Sequence, residues 1–149
     1  MGRKNVESLD CSVARSLAVL GERWTILILR EALLGTRRFA DFQSRLGIGA
    51  DMLSDRLSTL VEYGVLTKQP YQEPGQRPRA EYLLTPAGRE LHVLVAALQQ
   101  WGDRHLPRPA GPTMTRKARR TDRPVRVAFI DDLGDEVPIN DVVSIPTGN

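Results

Sequence analysis

The 149-residue chain has a single cysteine, Cys11, so it can build neither an internal disulfide framework nor a cysteine-rich zinc site. Long apolar runs are also missing. The longest, Val93–Leu98, falls far short of the ~20 residues that a membrane span needs. The opening Met1-Gly2-Arg3-Lys4-Asn5-Val6 has no apolar signal region and lacks Ser or Thr at position 6 for myristoylation, so the expected location is the cytoplasm. His92 and His105 have no nearby cysteine partner, which argues against a metal. Gly47-Ile48-Gly49 lacks the further glycine and the preceding strand of a dinucleotide loop. No serine stands in a nucleophile-elbow setting, and the acidic pairs Asp131/Asp132 and Asp135/Glu136 fall in a turn. These absences point away from an enzyme and from any cofactor.

What remains is an ordinary globular composition, 41% hydrophobic and 26% charged, in a length suited to one core with an appendage. The charge is unevenly placed. The formal net charge is +3, yet residues 130–149 hold five acidic side chains and no basic one, leaving 21 basic against 13 acidic residues in the first 129. Arg116, Lys117, Arg119, Arg120, Arg123 and Arg126 face only Asp122. A basic body with an acidic end suits either a polyanionic partner or a solvated, charged linker.

Hydrophobic spacing predicts four helices before residue 64. Val13, Leu17 and Leu20 share one face of the first, which stops at Gly21, and Trp24–Leu34 is apolar nearly all round, as a central helix is. Phe39–Leu46 is a third, closed by Gly47. The fourth, about Ala50 to Tyr63, has a narrow stripe of Leu53, Leu57, Leu60 and Val61 opposite Asp51, Ser54, Asp55, Arg56, Ser58, Thr59 and Glu62. Two short helices joined by a glycine-containing turn, the second with one polar face, form a helix-turn-helix whose second helix enters the major groove. Hydroxyls and an arginine able to fork onto a guanine edge are the chemistry such a face needs, although the same residues also suit a solvated helix surface.

Val65–Gln69 and Ala80–Leu84 read as strands joined by a loop with Pro74-Gly75 at the centre of a type II turn. Gln76, Arg77 and Arg79 at its tip make a wing that reaches phosphate or the minor groove. Thr85-Pro86 then opens a long helix, threonine as N-cap and proline at the first helical position. Leu91, Leu94, Val95, Leu98 and Trp101 run down one side of it, as core or as a subunit interface. The expected organisation is a DNA-binding and dimerisation domain over 1–106, a Pro/Arg-rich linker over 107–123 and a β extension over 124–149. The fold class is mainly α with a small β component (α+β): a winged helix-turn-helix with a long C-terminal dimerisation helix and a small β appendage that packs on the body or on a partner subunit.

The blocks Cys11–Arg15, Gly21–Thr25 through Ile28–Glu31, Arg38–Phe42, Met52–Leu57, Leu60–Leu66 and Arg79–Gly88 follow one another in an order that resembles the HxlR family of winged-helix regulators, relatives of the MarR group. The resemblance covers roughly residues 11–105. It implies a cytoplasmic, non-catalytic homodimer that binds an operator in double-stranded DNA and joins its subunits through the first and last helices, here Val13, Leu17, Leu91, Leu94, Val95, Leu98 and Trp101. Some relatives sense quinones, aldehydes or oxidants through a cysteine at the Cys11 block; the other reading of Cys11 is a small residue packed at the dimer seam. Where relatives often carry Ser or Thr and a lysine at the start of the recognition helix, this chain has Gly49-Ala50-Asp51.

The expectation is therefore a dimeric, sequence-specific DNA-binding regulator, a repressor in its simplest form, responsive to an electrophile, oxidant or small ligand. Ser54, Asp55, Arg56 and Thr59 would read bases, with Asp51, Met52 and Ser58 beside them on the same helix. Arg37, Arg38, Arg77 and Arg79 would contact phosphate, with Gln76 at the wing tip. The alternative is a winged-helix module that docks on protein, favoured by Asp51, Asp55 and the acidic end.

Overall fold

The structure, a computed structural model, describes residues 6–148. The chain divides into two compact units between Val95 and Ala96. In the first, α1 (Ser12–Leu20), α2 (Arg23–Leu33), α3 (Phe39–Leu46) and α4 (Ala50–Glu62) precede a hairpin of β1 (Leu66–Tyr71) and β2 (Arg79–Leu84). α5 (Pro86–Glu90) and α6 (His92–His105) follow. Ile28, Leu29, Phe42, Leu53, Leu57 and Leu60 have no exposed surface and form the centre of the core. Burial of each such side chain contributes roughly 1.5–3 kcal/mol, so α4 is held inward by its leucines.

Helix α2 is central, as its composition requires, and it carries a buried carboxylate. Glu31 pairs with Arg30 at 3.0 Å and accepts a hydrogen bond from the Thr36 hydroxyl at 3.3 Å. The Thr36 amide in turn donates to the Glu31 carbonyl, so the turn into α3 is tied on both main chain and side chain. α3 ends where Gly47 turns left-handed (φ 65°), a conformation that a Cβ would strain. Ile48, between the two glycines, is buried and fixes α4 against α3.

The wing is antiparallel, with Leu66 opposite Leu84 and Tyr71 opposite Arg79. Both strands reach further toward the tip than their sequence pattern indicates. At the tip Gly75 takes φ 77° and the Gln76 amide donates to the Glu73 carbonyl at 3.0 Å, the geometry expected for Pro74-Gly75. A third short segment joins the sheet: Arg38 pairs with Glu81, and the Tyr82 amide donates to the Arg37 carbonyl at 2.8 Å. This pairing roots the wing at the N-terminus of α3.

The helix after Thr85 differs from the continuous one expected. The Thr85 hydroxyl accepts from the Gly88 amide at 3.0 Å, as an N-cap should. At Leu91, however, the helix is interrupted: its amide donates to Gly88, three residues back, and tightens the turn before α6 begins. Poor helix propensity at Gly88 helps place the break there.

The second unit is built around the C-terminal half of α6. Gln99 donates to the Met114 carbonyl at 2.7 Å and accepts from Arg116 at 2.6 Å. The Gln100 side chain exchanges two hydrogen bonds with the Val127 main chain at 3.0 Å each. Residues 107–123 are thus more than a linker. Lys117 bridges Pro124, and the Ala118 and Val125 amides bond to Arg123 and Arg116, closing a tight reversal. The β extension amounts to β3 (Phe129–Ile130) paired with β4 (Glu136–Val137), then a 3-10 turn at Ile139–Asp141. Contacts begin this unit inside α6 rather than after residue 106, because Gln99 and Gln100 fasten that half of the helix to the chain beyond it.

Candidate nucleic-acid interface

Helix α4 presents a stripe at i, i+3, i+4 and i+7. Asp51, Ser54, Asp55 and Ser58 are all exposed, with Met52 beside them, while Leu53, Leu57 and Leu60 face inward. Gly49, extended at φ −64°, ψ 146°, starts the helix. The first turn therefore keeps unpaired main-chain donors, which favour an anion.

Two expected base readers are held back. Arg56 lies three residues after Leu53 and four before Leu60, so the period that buries the leucines also turns Arg56 toward the body. Only 20% of its side chain is exposed, and it pairs with Asp55 at 3.0 Å and Glu22 at 3.6 Å. Its Nε is buried without a hydrogen-bond partner. The Thr59 hydroxyl donates to the Asp55 carbonyl at 3.2 Å, a bond within its own helix. Both corrections leave the exposed face shorter and more acidic than the sequence pattern indicates.

Arg38, expected among the phosphate contacts, is engaged by other side chains of the protein although its own side chain stays partly exposed. Its guanidinium lies 4.2 Å from the Tyr71 ring, donates to Glu73 at 2.7 Å and reaches Glu81 at 3.4 Å. The Glu73 hydrogen bond raises its pKa further above the ordinary arginine range. Arg38 thereby clamps the wing to α3, and Tyr71, Glu73 and Glu81 are its partners. No local pattern links residues so far apart in the chain, so these three were not legible. By contrast Arg37, Gln76, Arg77 and Arg79 are exposed. Arg77 and Arg79 share with Lys68 a cavity of about 580 Å³ between the start of α3 and the wing.

Cys11 is exposed at the N-cap of α1. The amides of Ala14 and Val13 hold its thiol below the ordinary value, and Arg15 acts in the same direction. Of the residues expected at a subunit interface, Val13, Leu17, Leu94, Leu98 and Trp101 are exposed. Val95 is not: it is buried in the core of its own chain, where the turn at Leu91 aims it, and half-buried Leu91 packs beside it.

The sequence model of the HxlR-like helix-turn-helix family matches residues 19–110, which takes in every element from α2 to α6. The chain belongs to the HxlR-like helix-turn-helix family. Among relatives of this HxlR-like chain, the uncharacterized HTH-type transcriptional regulator Rv3095 of Mycobacterium tuberculosis is 52% identical over 101 residues, 68% of this chain and 63% of that protein. The HxlR-like chain thus spans less than two thirds of that relative's length. Its structure is similar to that of PA1607, a candidate transcription factor, at a TM-score of 0.80 and 33% identity, covering 95% of this chain and 98% of that one. The second unit therefore falls largely within the similarity. The reduced redox regulator HypR is also similar (TM-score 0.57, 28% identity, 64% of this chain and 96% of that one). Among the described residues no helix is long and apolar enough to cross a membrane.

Proposed function

We propose that this HxlR-like chain is a cytoplasmic, homodimeric transcriptional regulator that binds an approximately palindromic operator. The observation that carries the reading is the face of α4, whose exposed Asp51, Ser54, Asp55 and Ser58 stand opposite three fully buried leucines. Serine hydroxyls serve any base edge, and carboxylates select a cytosine amino group while repelling phosphate, so Asp51 and Asp55 add specificity at the expense of affinity. Arg77 and Arg79 supply the compensating phosphate contacts from the wing. Two such helices related by a two-fold axis would enter major grooves roughly 34–36 Å apart. Val13, Leu17 and Leu94 in the first unit, and Leu98 and Trp101 in the second, are exposed apolar side chains available for pairing the subunits.

Arg79→Ala is expected to weaken binding to all duplexes alike and to reduce the slope of log affinity against log salt by about one per contacted phosphate. Fluorescence anisotropy across a salt series checks this. A loss confined to one base pair of the site would contradict the phosphate role.

The hydrogen bonds that lower the Cys11 thiol pKa and the exposure of this residue, together with the likeness to HypR, support a sensing role. The Cys11 thiolate would add to an electrophilic quinone carbon. A sulfur–carbon bond forms, the displaced electron pair passes to the quinone oxygen, and that oxygen takes up a proton. Operator release by a quinone is expected from the unmodified protein and not from Cys11→Ser. Equal release from both would remove the thiol from the response.

A further inference from the structure

The second unit, Ala96 onward, has almost no core of its own. Val125, Phe129, Ile130, Leu133, Ile139 and Val143 are each at least half exposed, Leu133 at 84% and Ile139 and Val143 at 75%. Two-residue strands tied to a helix by glutamines are marginal in water by themselves, and so many exposed apolar side chains in one short unit point to a partner. The charge of the unit is polarised as well. Residues 116–126 carry six basic side chains against Asp122, whereas residues 131–141 carry five acidic ones and no basic one. Among the described residues Arg126 pairs with Glu136 across the two halves, and Lys117 pairs locally with Asp122. The side chains of Arg119, Arg120 and Arg123, and those of Asp132, Asp135 and Asp141, make no ion pair among the described residues.

A nucleic acid would engage the basic half but would leave the apolar side chains in water and repel the acidic half. Exposed apolar side chains in a unit whose two halves are opposite in charge instead fit a protein, and one protein in particular. Under a two-fold axis residue i of one copy meets j of the other while j meets i, so a unit with a positive and a negative end complements itself. We infer that the C-terminal unit is a subunit-pairing surface whose occupant is the same unit of a second copy, its basic half against the acidic half of the partner. This rests on the dimeric reading above and assigns it a second interface, apart from α1.

Two full-length variants test it. One carries Arg119→Glu, Arg120→Glu and Arg123→Glu; the other carries Asp132→Lys, Asp135→Lys and Asp141→Lys. Asp131 is left intact because its carboxylate accepts from the Leu133 and Asp135 amides and holds the turn. Sedimentation equilibrium should show each variant alone self-associating at least about tenfold more weakly than the unmodified chain, since every cross-pair becomes a like-charge contact. An equimolar mixture should recover the dimer as a hetero-pair, because both sets of contacts are then opposite in sign. Recovery also shows that both variants fold. Variants that self-associate as tightly as the unmodified chain, or a mixture that recovers nothing, would overturn the assignment. Loss of DNA affinity by the arginine variant with undiminished self-association would likewise overturn it and give the basic half to nucleic acid. An unmodified chain that stays monomeric would instead defeat the dimeric reading itself.

Discussion

Ser54→Glu with Ser58→Glu is expected to lower affinity for the specific operator by at least about a hundredfold, with the fold intact. Both positions are exposed on the stripe opposite Leu53, Leu57 and Leu60, so the change touches no packed atom, and glutamate is a good helix former. Surface changes of this kind stay within about 0.5 kcal/mol of the original stability. The DNA side differs sharply. Each hydroxyl removed from a base edge forfeits a direct contact, and each new carboxylate adds repulsion in a groove already facing Asp51 and Asp55. Anisotropy titration and a thermal melt on the same sample separate the two effects. Unchanged affinity at an unchanged melting temperature would mean that this side of α4 does not meet DNA.

The second large effect is on stability, with a sign opposite to propensity. Alanine usually favours a helix over glycine by about 1 kcal/mol. At Gly88 a Cβ would lie 2.2 Å from the Val65 carbonyl oxygen and 3.0 Å from Cδ2 of Leu84. The oxygen belongs to the main chain where α4 hands over to β1, so it cannot swing away as a side chain could. Gly88→Ala is therefore expected to destabilise the protein by about 2–3 kcal/mol, a fall of roughly 5–10 °C in melting temperature. The displacement would also reach the base of the wing through Val65 and Leu84. Calorimetry checks it. A melting temperature equal to or above the original would show that α5 does not pack on Val65 as described.

The helix-turn-helix and the wing were legible because each rests on a local signal: a 3.6-residue leucine stripe in α4, glycines at the end of α3 and the start of α4, and Pro74-Gly75 at the wing tip. Arg56 was misplaced although its spacing from Leu53 and Leu60 already put it on the inward face; residue type outweighed position. Arg38 could not be placed from sequence, because its role depends on Glu73 and Glu81 arriving from the other end of a hairpin. The break at Leu91 was hidden for a related reason. It follows closely on Gly88, whose close approach to Val65 is a tertiary contact that periodicity along one helix does not record. The 107–123 segment read as a linker because its partner Gln99, bonded to Met114 and Arg116, is a polar residue on a helix and looks solvated until the chain folds back to it.

On the function proposed above, the exposed side of α4 and the arginine-tipped wing together hold a DNA duplex. Titrating the unmodified chain against a promoter fragment and a scrambled duplex, at 50 mM and 200 mM salt, tests it most directly. A tighter complex with the promoter is expected at both concentrations, with affinity for both duplexes falling steeply with salt. Equal, weak and salt-insensitive binding to the two would contradict it.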